Sequence, residues 1–130
     1  MPVTYLDSSA IVKLAVAEPE SAMLRRHLRH RRPFVSSALA RTEVFRALLP
    51  AGPAAIAAGH AVLDHLELIR VNDRVLGDAA ILEPAELRTL DAIHLATARR
   101  FGAELGQFVT YDDRMLAAAA RLGIRTAAPT

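Results

Sequence analysis

The chain contains no cysteine and no tryptophan. Without a thiol there is no disulfide, no thiolate metal site and no cysteine nucleophile. Only Lys13 among the 16 cationic residues is a lysine; the rest are arginine. Aromatic residues make up 5% of the chain, too few for a run of base-stacking platforms. No uninterrupted apolar stretch approaches the roughly 18 residues that read as a membrane span. The start, MPVTYLD, lacks the basic and apolar regions of a signal peptide. Internal repeats, linkers and low-complexity tracts are also missing. These absences lead to the expectation of a cytoplasmic protein with no membrane association.

What is present is a chain of 130 residues, 52% of them hydrophobic. That length suits one domain, expected over 1–130, which on folding removes roughly two-thirds of its unfolded surface from water. Proline and glycine punctuate it at Pro19, Pro33, Pro50, Pro53, Pro84, Gly102, Gly106 and Gly123. Between them lie β-like runs over 3–6, 34–36, 66–71, 107–110 and 124–127. Helix-period segments separate these runs: 9–16, 20–31, 39–49, 54–65, 74–82, 90–101 and 114–122. Strands alternating with helices of about 8–14 residues predict a parallel α/β sheet flanked by helices on both faces. In open sheets of this kind, ligands bind beyond the C-terminal ends of the strands.

Carboxylates stand at those ends. Asp7 follows the first run directly, and Asp112 and Asp113 follow the run 107–110 in FVTYDDRM. Glu43 lies about one turn into the helix after the second run, and Asp91 opens the helix of LRTLDAIHLATARR. Two unit charges 4 Å apart repel by about 4 kcal/mol at an effective dielectric of 20. Protonation relieves this, and so does a hard divalent cation such as Mg2+ with carboxylate, water and phosphate oxygens around it. A structural role competes for each acid singly, because Asp7, Asp91 and Asp113 can cap or complement a helix N-terminus. Glu43 is too deep to cap, although the wet face of an amphipathic helix would also hold it. Ser8, Ser9, Ser36, Ser37 and Thr110 accompany the acids, as supports for them or as caps of their own.

Asp91 and His94 are three apart on one helix, but no second His/Asp pair completes a zinc site, so His94 is expected to pack beside the acids or point away. The segment LRRHLRHRR sets Arg25, Arg26, Arg29, Arg31 and Arg32 on or after a helix. Its default reading is a solvated basic face; contact with RNA through Arg25, Arg26 and Arg29 is the functional one.

Taken in order, YLDSSAIVKL, SALARTEVFRAL, LRTLDAIHLATA and FVTYDDRMLAAAARLGI resemble the motifs of PIN-domain ribonucleases, in particular the VapC-type toxins of bacterial toxin–antitoxin pairs. The resemblance covers essentially the whole chain. It implies a five-stranded parallel sheet in the order 3-2-1-4-5. It also implies an endoribonuclease dependent on Mg2+, with Mn2+ able to substitute, through one metal or two. Asp7, Glu43, Asp91 and Asp112 match the acidic quartet. Asp7 and Asp91 would be metal ligands, Glu43 would hold a metal water or act as base, and Asp112 would complete the second-metal side. Ser8 and Thr110 fall where hydroxyls support the acids, and Asp113 is the alternative to Asp112 for the acid facing the site. The partners implied are an RNA substrate, a second copy in a homodimer, and a cognate antitoxin, with heterotetramers or larger assemblies.

Two other readings have different requirements. A Mg2+-dependent aspartyl-phosphate phosphohydrolase also places acids at strand ends, but Asp7 has Ser9 rather than a second aspartate two residues on. A non-toxin RNA-processing or RNA-binding module would use the same fold without toxin activity.

Overall fold

The computed structural model describes residues 2–130. Its first strand, β1 (Val3–Leu6), alternates its side chains between two cores, as the two-residue period of a strand requires. Tyr5 joins one apolar cluster and Leu6 the other. The same division separates Phe108 from Val109 in β4 (Leu105–Val109). The remaining strands are β2 (Phe34–Ser37), β3 (Leu66–Ile69) and the two-residue β5 (Thr126–Ala127). All pair in parallel, in the order β3-β2-β1-β4-β5. The sheet and its order are those expected from the sequence.

Among the described residues seven α-helices connect the strands: α1 (Ser8–Ala15), α2 (Ser21–Leu28), α3 (Ala40–Leu48), α4 (Pro53–Leu63), α5 (Asp73–Ala80), α6 (Thr89–Arg99) and α7 (Asp113–Arg121). Ala10, Ile11, Leu24, Leu28, Val44, Leu48 and Leu63 from α1 to α4 pack with Leu6 and Val109 on one face. Leu95, Ala98, Met115 and Ala118 from α6 and α7 pack with Tyr5, Val35 and Phe108 on the other. There the rings of Tyr5 and Phe108 stack 4.9 Å apart, an arrangement that adds about 0.5–1.5 kcal/mol to their burial. Where α4 crosses α3, Gly59 allows a close approach: a Cβ there would stand 2.6 Å from Leu48 Cδ1 and force that side chain to shift.

Several elements are shorter than their periodicity predicts. The helix expected over 20–31 stops at Leu28. Beyond it the Arg31 carbonyl accepts from Thr4 Oγ1 at 2.8 Å and the Pro33 carbonyl from the Thr4 amide at 3.0 Å. These bonds commit the backbone to the sheet before β2 begins. The fifth strand keeps two of its four expected residues, because only Thr126 and Ala127 lie opposite β4. Among the described residues no helix is long and apolar enough to cross a membrane.

Candidate active site

The four acids come from four connections that end at the same edge of the sheet. Asp7 is the N-cap of α1 because β1 ends in extended backbone there. Its Oδ1 accepts from the Ala10 amide at 3.1 Å and from the Ser9 hydroxyl at 2.6 Å. Thr110, the first residue after β4, donates its hydroxyl to Oδ2. Asp7 is 4% exposed and no arginine or lysine pairs with it among the described residues. Burial pushes its carboxyl above the ordinary aspartate value, against the Ser9 and Thr110 hydroxyls, the charge of His94 and the Ala10 amide. Ser9 also accepts from the Tyr111 amide at 3.0 Å, which ties the start of α1 to the loop after β4.

Glu43 points from the first turn of α3. Ser8 Oγ donates to its Oε1 at 2.7 Å, and His94 Nε2 stands 2.6 Å from the same oxygen. No described residue donates to Oε2. Burial would raise this carboxyl, but the His94 hydrogen bond and charge and the Ser8 hydroxyl outweigh it, so Glu43 sits below the ordinary glutamate value. A carboxylate only accepts, so Nε2 carries the hydrogen. In the neutral ring Nδ1 then accepts from the Tyr5 hydroxyl, 2.7 Å away. Burial and the charge of Asp7 hold that phenol well above its ordinary value, and it stays protonated. His94, 2% exposed, is thus enclosed between the core and the acids. It packs beside the site, as one of the two sequence-based expectations had it, and its contact with Glu43 is direct.

Asp91 and Asp112 form a second, more open pair. Asp91 lies in the first turn of α6 and Asp112 caps α7, its Oδ1 accepting from the Arg114 and Met115 amides at 2.9 and 3.1 Å. Between them stands Arg88. Its Nε donates to Asp91 Oδ2 and its Nη2 to Asp112 Oδ2, both at 2.9 Å. The Arg88 side chain is 57% exposed, Asp112 31% and Asp91 13%. Sequence reasoning passed over Arg88; its only signal was a cation three residues before Asp91, at a spacing that allows an ion pair on one helix face.

The structure also fixes where Asp113 and the arginine run stand relative to the acids. The cap of α7 is Asp112, and Asp113 is an exposed residue of the first helical turn, because Asp112 is the residue that keeps extended backbone. Asp112, not Asp113, reaches the other acids through Arg88. Arg25, Arg26 and Arg29 stand at the opposite edge of the sheet: Arg25 donates to the carbonyl of Leu14, at the far end of α1 from Asp7, and α2 leads toward the residues that enter β2. A cavity of about 610 Å³ is also remote from the acids. It lies between Arg74 and Asp78 of α5 and Arg99 and Arg100, at the other end of α6 from Asp91.

Hard oxygen donors are the proper partners for a small divalent cation. A buried Asp7 without a cationic side chain against it, and the free Oε2 of Glu43, fit such an ion. As the side chains stand, with Arg88 between Asp91 and Asp112, no three of the described His, Asp and Glu residues already enclose one.

An all-parallel sheet in the order 3-2-1-4-5 with four carboxylates beyond one edge defines an α/β domain with an acidic crevice at its strand ends. Residues 4–122 match the family model of the PIN domain, and the chain belongs to that family, in its VapC-type branch. It is 63% identical over 130 residues to "Ribonuclease VapC46" of Mycobacterium tuberculosis, with both chains covered completely. It is 38% identical over 130 residues to "Ribonuclease VapC47" of the same species, with 96% of each covered. Among solved structures it resembles M. tuberculosis VapC20, described as a Sarcin-Ricin loop cleaving toxin, with a TM-score of 0.72 and 19% identity over 88% of this chain and 94% of that one. A chain of a toxin–antitoxin complex from Klebsiella pneumoniae aligns with a TM-score of 0.73 and 18% identity, covering 98% of each. At such low identity these two structures speak for the fold alone.

Proposed function

We propose that this protein is a metal-dependent endoribonuclease acting as the toxin of a VapBC-type toxin–antitoxin pair. The observation that carries the reading is the meeting of Asp7, Glu43, Asp91 and Asp112 at one sheet edge, in a chain similar over its full length to proteins named as VapC ribonucleases. Asp7, Asp91, Glu43 and Asp112 would hold Mg2+, for which Mn2+ can substitute. When bound, the metal supplies charge stabilisation on the scissile phosphate and lowers the cost of ionising water.

The chain's own residues account for the rest. Ser9, Thr110 and the Ala10 amide hold Asp7 in one orientation, so it meets a ligand without reorganising. Ser8 and His94 hold Glu43 by a single oxygen and keep it ionised near neutrality. Its Oε2 is therefore left to hold a metal-bound water or to accept a proton from an attacking one. Asp112, fixed by two amides, places a negative charge at the outer rim of the site. In the cytoplasm, an antitoxin would silence the enzyme by covering this edge; the free toxin would be a homodimer, and the silenced form a heterotetramer or larger assembly with the antitoxin.

The test uses antitoxin-free protein and total RNA in Mg2+, beside an EDTA control and Asp91→Asn. Discrete cleavage lost in both controls is the expected result. Folded protein that cleaves no RNA in Mg2+ or Mn2+ would sink the proposal, and cleavage that survives Asp91→Asn would show the site assignment to be wrong.

A further inference from the structure

The crevice already contains a cation. Arg88 divides its fork between two carboxylates that belong to different elements, Asp91 on α6 and Asp112 ahead of α7. A guanidinium suits this role because its rigid fork presents separate N–H donors to two acceptors in fixed directions. It stands where two like charges come together, and it supplies the neutralisation that a divalent ion would otherwise supply. The other two acids have no arginine hydrogen-bonded to them: Asp7 and Glu43 are held by hydroxyls, an amide and an imidazole, and the Arg88 charge reaches Glu43 only through space. Arg88 is also the most exposed member of the cluster and lies just before α6 rather than within it, so it can leave without disturbing a helix.

We propose that Arg88 is a resident counter-cation that competes with the divalent metal for Asp91 and Asp112. It holds these two acids together in the metal-free protein, and metal must displace it to take them. The metal concentration at which the site fills is thereby set partly by the chain's own arginine. This inference rests on the metal-dependent reading above.

The experiment is calorimetric titration of Mn2+ into RNA-free protein, comparing wild type, Arg88→Ala, Arg88→Lys and Asp91→Asn, with unfolding midpoints recorded in EDTA and in Mn2+. With the competitor removed, Arg88→Ala should bind Mn2+ about three- to tenfold more tightly, the scale of an exposed ion pair. Arg88→Lys should fall between, and Asp91→Asn should bind more weakly than wild type. In EDTA, Arg88→Ala should unfold at lower denaturant than wild type and recover more on adding Mn2+. Equal or weaker Mn2+ binding by folded Arg88→Ala overturns the competition while leaving the metal site standing. Failure of every form, wild type included, to bind Mn2+ overturns both this inference and the metal-dependent reading.

Discussion

The two halves of the crevice contain the same kind of acid and neutralise it differently. Asp7 and Glu43 are held by short donors that the fold itself fixes: Ser8, Ser9, Thr110, the Ala10 amide and the His94–Tyr5 pair. Asp91 and Asp112 are bridged by one exposed arginine. The inner half is rigid because its donors are short side chains near helix starts or a buried ring. The outer half depends on a long side chain that solvent can reach, and exposed ion pairs of that kind contribute little to stability. A rigid inner pair beside an adjustable outer pair suits a site that must be preorganised and yet admit a metal and a phosphate.

The largest effect that would sharpen this contrast is on catalysis. Asp7→Asn should lower RNA cleavage on the order of a thousandfold or more, as expected when several kcal/mol of transition-state stabilisation disappear. Asp112→Asn should cost less, roughly ten- to a hundredfold, because its position is the more open one. Single-turnover rates on one RNA substrate measure both, and equal losses would erase the distinction between the halves.

Stability gives the next effect. His94→Ala leaves a cavity and strands the Tyr5 hydroxyl in the core, which should cost about 2–4 kcal/mol in urea unfolding. Tyr5→Phe removes only the hydroxyl and should cost about 1–2 kcal/mol. Were His94→Ala as stable as wild type, the inner half would not be the rigid one.

The pH dependence in EDTA is smaller, and within the inner pair its sign reverses. Asp7, with its carboxyl raised by burial, binds its proton more readily folded than unfolded. Its contribution to stability is present below its unfolded pKa and lost as pH rises through the folded value. Asp7→Asn should therefore gain stability relative to wild type between acid and neutral pH. Glu43 is lowered, so its contribution is present above its unfolded pKa and lost as pH falls through the folded one. The deficit of Glu43→Gln should accordingly shrink on acidification. Urea midpoints across pH 3–7 measure both, and parallel trends for the two variants would contradict the opposite shifts.

The smallest effect lies outside the crevice. Lys13 donates to the half-buried Glu20 at 2.8 Å and to the exposed Glu18 at 3.3 Å. Glu18→Gln should leave the unfolding midpoint within error and cleavage unchanged. A clear loss there would mean that exposed pairs in this protein matter more than the outer half of the crevice implies.

The sequence was most legible where one physical rule acts locally. The two-residue period of Val3–Leu6 and the helix period of residues 40–48 need only their own side chains to be read, and the acids could be placed at strand ends from chain order. Asp112 and Asp113 could not be separated that way, because adjacent residues differ only in which one keeps extended backbone at the helix start. Likewise, Arg25, Arg26 and Arg29 read as a basic cluster in one dimension, but the return of α2 toward the strand starts carries them away from the acids.

By itself, then, the chain determined an α/β alternation, a cysteine-free all-oxygen donor set and the order in which its acids meet the sheet edge. These follow from residue type and local period. Only the tertiary structure decided that His94 bonds Glu43 across 51 residues and that Arg88 reaches Asp112 across 24. Such pairings depend on how helices pack on a twisted sheet, and the distance between two side chains in space is not written in their separation along the chain.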